Sequence, residues 1–114
     1  MTDLILYRGD TKTITVTLKD NEGDPVDITG DTIYFTIKTS IDDVVDDSTA
    51  LVKKDITTHS DPTNGVSVIQ LSPTDTNIKP GNYFFDIQIK RVSGQVITLI
   101  NDKIRVLGDV TRRV

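Results

Sequence analysis

Reactive side chains are few in this chain, so chemistry narrows to a handful of places. His59 is the only histidine and cysteine is absent. The usual nucleophile–base pairs and thiolate metal sites therefore lack their parts. The 17 acidic residues leave a paired-carboxylate hydrolase formally open, but most fall among turn formers, where a solvated carboxylate is the ordinary state. Asp42, Asp43, Asp46 and Asp47 form one acidic cluster, and Asp20-Asn21-Glu22-Gly23-Asp24 forms another. Calcium needs about six to eight oxygens in a shaped loop. The first cluster lacks the alternate spacing and the glycine of a calcium hand, and the second lacks a distal bidentate glutamate. The four aspartates would make at most a weak calcium site. Arg8-Gly9-Asp10 is the tripeptide that animal integrins read, yet Gly9 serves equally well as a bend before a strand starting at Lys12. Asn21, Asn64, Asn77, Asn82 and Asn101 all lack a Ser or Thr two residues on, so none accepts a glycan. These residues predict a non-enzymatic chain with no cofactor.

A formal charge of −4 argues against nucleic acid as a partner. The charge is uneven. Residues 1–61 hold 13 acids against 6 bases, whereas residues 79–113 hold 7 bases against 3 acids. That asymmetry fits an ordinary solvated surface with chance clustering, or a dipolar module packing head to tail or against a charged neighbour. The apolar run at residues 4–7 is too short for the core of an export signal, and no stretch approaches the ~20 apolar residues of a membrane helix. No membrane partner is expected, and a cysteine-free chain fits synthesis in a reducing cytoplasm.

The elements that would position any site are strands. Thr, Ile and Val make up 43 of 114 residues, against one alanine, and β-branched side chains favour a pleated surface over a helix. Residues 12–18 alternate, with Ile14, Val16 and Leu18 on one face and threonines on the other. Residues 32–38 place Ile33, Phe35 and Ile37 opposite Tyr34, Thr36 and Lys38. An edge strand is expected over 51–55, where Lys53 and Lys54 discourage edge-to-edge pairing. A strand over 66–71 stops at Ser72-Pro73, which suits the cap of one helical turn. The strongest strand spans 82–91, and Ser93-Gly94 marks a hairpin returning over 95–100. Residues 103–107 extend that return, with a bulge expected at Ile100-Asn101-Asp102.

The pattern predicts one domain over residues 1–114, a seven-stranded immunoglobulin-like Greek-key β-sandwich. Pro80-Gly81-Asn82-Tyr83 opens the strongest strand where such folds carry a tyrosine corner. Its phenol is expected to bond backbone near Ile78 or Lys79. Phe85 then takes the place of an antibody domain's second disulfide cysteine, and Phe35 that of its core tryptophan.

Taken in order, several signals resemble a family. They are Arg8-Gly9-Asp10-Thr11 before a Thr-rich strand, Gly23-Asp24-Pro25-Val26-Asp27-Ile28-Thr29-Gly30 before Ile33, Phe35 and Ile37, and Gly65 followed by Leu71-Ser72-Pro73-Thr74-Asp75-Thr76. Pro80-Gly81, Tyr83 and Asp86-Ile87-Gln88 come next, then a close near Asp109-Val110-Thr111. Over residues 6–111 this is similar to the small immunoglobulin-like modules of tailed bacteriophages and prophages, including the N-terminal domain of baseplate upper proteins. The resemblance implies a virion structural part, in the tail, baseplate or a decoration, that binds other virion or baseplate proteins.

For such binding, itself included as a partner, the candidate surfaces are an unpaired sheet edge, the Thr13–Thr15–Thr17 face, and the Asp42, Asp43, Asp46 and Asp47 loop meeting Arg105, Arg112 and Arg113. Two other readings stay open. One is an extracellular adhesin-like or carbohydrate-binding module, for which Tyr7, Tyr34 and Phe84 are free to stack on sugar. The other is a regulatory or inhibitor domain within the host.

Overall fold

The computed structural model describes residues 4–39 and 50–108. Asp42, Asp43, Asp46, Asp47, Arg112 and Arg113 lie outside these residues, as does the close of the family resemblance at 109–111. Among the described residues the strands are β1 (Leu4–Tyr7), β2 (Lys12–Thr17), β3 (Thr32–Lys38), β4 (Val52–Ile56), β5 (Val66–Leu71), β6 (Gly81–Lys90) and β7 (Val96–Leu107). They form a five-stranded sheet in the order β1-β7-β6-β3-β4 and a two-stranded sheet of β2 and β5. All pairs are antiparallel except β1 with β7. The fold is all-β, and its two sheets close on one core in the manner of a β-sandwich.

The core follows the period-two pattern of the sequence. Ile33, Phe35, Ile37, Phe85, Ile87, Ile89, Ile104 and Val106 come from the larger sheet, and Val16, Ile69 and Leu71 from the smaller. Phe35 is fully enclosed, and its ring centroid lies 5.9 Å from that of Phe85 at 42°, a tilted pairing that aromatic quadrupoles favour. Ile28 and Ile78, from the connections, join the same core.

Two local readings of the sequence need correction. Residues 4–7 read as a mere apolar run, but they are a strand in register with the end of β7, Leu4 opposite Ile104 and Leu6 opposite Val106. Only Leu6 of the four is buried, so the run carries apolar residues on both faces and shows no alternation. The bulge expected at residues 100–102 sits earlier. Ile87 pairs with Ile100 and Gln88 with Thr98, which leaves Leu99 as the extra residue. Leu99 and Ile100 both pack against the core; two successive inward-leaning residues are what an inserted residue produces.

Glycine is required at one connection. Gly65 closes the short 3-10 turn Pro62–Asn64 with φ +73. A Cβ there would sit 2.5 Å from the Leu18 carbonyl oxygen and 2.7 Å from that of Val26. The turn before β5 thus needs both a left-handed backbone and the absence of a side chain.

Candidate interaction surface

Register defines the outer face of the larger sheet, away from the core. Ile5, Arg105 and Asn82 form one cross-strand row, and Lys103, Phe84 and Lys38 the next. Thr36 and Asp86 lead to Lys53, and Tyr34 pairs with both Gln88 and Asp55. A shallow depression surrounds Phe84, Lys103 and Arg105. Lys53, Lys90, Lys103 and Arg105 are exposed here. Tyr7, Tyr34 and Phe84 share this face, but Phe84 lies four residues along β6 from the partner of Tyr34, about 13 Å. Those two rings therefore cannot clasp a single sugar between them.

Thr13, Thr15 and Thr17 are exposed on the opposite side of the molecule. They form the outer face of the two-stranded sheet, paired with Gln70, Val68 and Val66. The structure therefore does not unite the threonine face with Arg105, because the two belong to different sheets. Beside Val68 and Gln70 an open groove reaches Ile56 and His59 at the end of β4. β4 is the outermost described strand of its sheet and carries Lys53, Lys54 and Asp55.

The Arg8-Gly9-Asp10 tripeptide forms the bend between β1 and β2. Gly9 adopts φ +83 and Asp10 N–H donates to the Tyr7 carbonyl. Thr76, wholly buried, donates its hydroxyl to the Asp10 carbonyl at 2.6 Å, tying the bend to the Ser72–Thr76 turn. That turn is capped reciprocally: Ser72 N–H donates to Asp75 Oδ2 at 2.8 Å and Asp75 N–H to Ser72 Oγ at 3.2 Å. Asp75 also meets Lys54 Nζ at 2.8 Å. Partial burial pushes the Asp75 pKa up and is the largest single influence. Lys54 and the two Ser72 bonds together outweigh it and hold the carboxyl below its ordinary 3.8.

Tyr83 donates its hydroxyl to the Lys79 carbonyl at 2.5 Å, where the Pro80-Gly81 spacing places it. Gly81 begins β6 close under that ring: a Cβ there would lie 3.8 Å from the Tyr83 hydroxyl.

One constellation escaped the sequence reading. Asp31, just before β3, is 2% exposed. Its carboxylate accepts the Val92 N–H at 2.8 Å and lies 2.6 Å from Arg91 Nε. The latter is a close ion pair without the alignment of a hydrogen bond. Arg91 also donates to the Asp27 carbonyl. His59 Nε2 bonds the Asp31 carbonyl at 2.7 Å and Nδ1 meets Ser67 Oγ at 2.8 Å. A carbonyl only accepts, so in neutral His59 Nε2 carries the proton and Nδ1 accepts from Ser67.

A serine, a histidine and an aspartate thus meet, but not as a hydrolytic triad. Ser67 is fully buried, so no substrate reaches it, and the Asp31 carboxylate turns toward Arg91 rather than the imidazole. The cluster instead joins β5, the connection after β4, the start of β3 and the β6–β7 hairpin. Nothing in sequence spacing announces it, because its members lie far apart along the chain.

The Asp20–Asp24 cluster is a closed turn. Asp20 Oδ1 accepts the N–H groups of Glu22 and Asp24, both at 2.9 Å, and a bridge between Lys19 and Pro25 shuts its base. Further on, Asp27 is held below the ordinary carboxylate range by the Thr29 hydroxyl, then by the Thr29 N–H and the charge of Arg91. Among the described residues no three His, Cys, Asp or Glu side chains converge on a metal-sized site.

Neither a family model nor a curated protein matches this sequence. Among solved structures, the chain is similar in fold to CopC from Methylosinus trichosporium OB3b. The TM-score is 0.53 at 11% identity, over 98% of this chain and 90% of that one. At that identity the likeness is one of fold alone.

Proposed function

We propose that this chain is a non-enzymatic structural module of a tailed phage or prophage virion, placed in the tail, baseplate or a decoration, and that it works by binding other virion proteins. The strand order carries the reading. β4-β3-β6-β7 facing β2-β5 corresponds to strands C′CFG facing BE of an immunoglobulin-like Greek key. These strands also hold the residues that resemble the phage modules: Ile33, Phe35 and Ile37 on β3, and Tyr83 with Asp86-Ile87-Gln88 on β6. The exposed sheet faces and the outer strand edges offer contact area without needing a pocket.

The test is physical association with particles. The prophage is induced in the bacterium that carries the gene, particles are banded by density, and the chain is located by immunogold labelling. It is expected in the particle band, with label at one place on the tail or head. Recovery wholly in the free soluble or exported fractions overturns the reading.

A further inference from the structure

The outer face of the larger sheet is basic on an acidic chain. Lys53, Lys90, Lys103 and Arg105 are exposed there against exposed Asp55; Lys38 and Asp86, on the same face, already have partners. Apolar surface is interleaved with the charge. Ile5 at 44%, Tyr7 at 52% and Val96 at 53% exposure all share the outward parity of this face. Ile5 and Tyr7 beside Arg105 at one end of the face, and Val96 beside Lys90 at the other, combine apolar contact area with cations, which suits an interface with an acidic surface.

An acidic surface of complementary charge lies elsewhere on the same chain. Asp20, Glu22 and Asp24 are exposed on the β2–β3 turn, and a Cβ on Gly23 in that turn would touch nothing within 4 Å. The Asp20 cap and the Lys19–Pro25 bridge preset its shape, so little conformational freedom is lost when it docks. The turn grows from β2 and is bonded through Leu18 to Gly65 and Val26, all on the side of the smaller sheet. Turn and basic face therefore belong to different sheets and can meet only between molecules.

We propose that the outer face of the five-stranded sheet binds the Asp20–Asp24 turn of a second copy of this chain. The contact is heterologous, so repetition gives a ring or an open array rather than a closed two-fold dimer. A standard interface takes about 800 Å² from each partner, about a ninth of the 7181 Å² surface. This association is a property of the two surfaces and goes beyond the virion reading. Particle banding tests that reading, and solution sedimentation tests this one.

The experiment is analytical ultracentrifugation of the chain at ~0.05 and ~0.5 M salt, where charge attraction is screened over very different lengths. Concentration-dependent association is expected at low salt, with the dissociation constant at least about tenfold weaker at high salt. Two variants separate the surfaces: Lys103→Glu with Arg105→Glu on the face, and Glu22→Lys with Asp24→Lys on the turn, which spares the Asp20 cap. Each alone should sediment as a monomer, with a circular dichroism melt showing that it folds. Mixed in equal amounts they should associate again, because each then offers the charge the other needs. A wild-type monomer at ~1 mM in low salt overturns the proposal, and so do folded variants that associate as strongly as wild type.

Discussion

Asp31 and Arg91, sixty positions apart, meet at 2.6 Å with the carboxylate almost wholly out of water. This pair fastens the β6–β7 hairpin to the β2–β3 connection. Truncating Arg91 would leave a buried charge with one N–H donor, from Val92. Arg91→Ala is expected to cost about 2–3 kcal/mol in urea unfolding, less than the ~3–5 kcal/mol for a fully buried pair because the arginine is itself a third exposed. Replacing Asp31 and Arg91 together by Leu and Met should cost less than Arg91→Ala alone, since no stranded charge remains.

Phe35 is enclosed against Phe85. Phe35→Ala should cost about 3–5 kcal/mol, enough to unfold much of a population whose total stability is about 5–15 kcal/mol. A loss below ~1 kcal/mol would contradict this packing.

The Tyr83 bond to Lys79 is a single hydrogen bond from a half-buried ring. Tyr83→Phe should lower stability by about 0.5–1.5 kcal/mol, measured as a shift in denaturation midpoint with an unchanged slope.

Gly65 combines φ +73 with backbone oxygens where a Cβ would go. Gly65→Ala should cost more than about 2 kcal/mol, exceeding the ~1 kcal/mol usual for a left-handed alanine alone. Gly23→Ala, left-handed too but with open space around it, should cost only that smaller amount. Thermal melts of the two variants compare them directly.

Asp75 titrates in a testable direction. Its folded pKa lies below 3.8, so its contribution is fully present above that pH and fades as pH falls through the folded value. Asp75→Asn should cost about 0.5–1 kcal/mol at pH 7. The gap between variant and wild type should close in unfolding curves taken progressively below pH 3.8.

How much the sequence revealed depended on the range of each interaction. β2, β3 and β6 were legible because each alternates over six or more residues, and alternation is set by the local pleat; β5 was legible from the turn formers that bound it. The Ser72 cap and the Tyr83 bond were legible for the same reason, with partners three or four residues apart. Leu4–Tyr7 was not, because three apolar neighbours and a tyrosine give no period. Leu99 as the bulge was misplaced by a residue or more, since only the partner strand fixes register. Asp31, between Gly30 and Thr32, carries no local signal of its role. Its burial depends on Arg91 and Val92, and no local pattern in a single chain points across such a distance.

The parallel pairing of β1 with β7 has a kinetic consequence. Leu4 and Ile104 are neighbours, so that seam closes a loop of about 100 residues, whereas the β6–β7 hairpin closes across a few. Local hairpins form in microseconds, but a contact of such long range slows a fold toward the millisecond-to-second regime of sandwich proteins. During synthesis the first strand leaves the ribosome long before its partner exists. Until residues 104–107 emerge, Ile5 and Tyr7 sit on an unpaired strand open to other nascent chains. The edge of β1 that faces β7 is therefore covered only after about 100 further residues have been made.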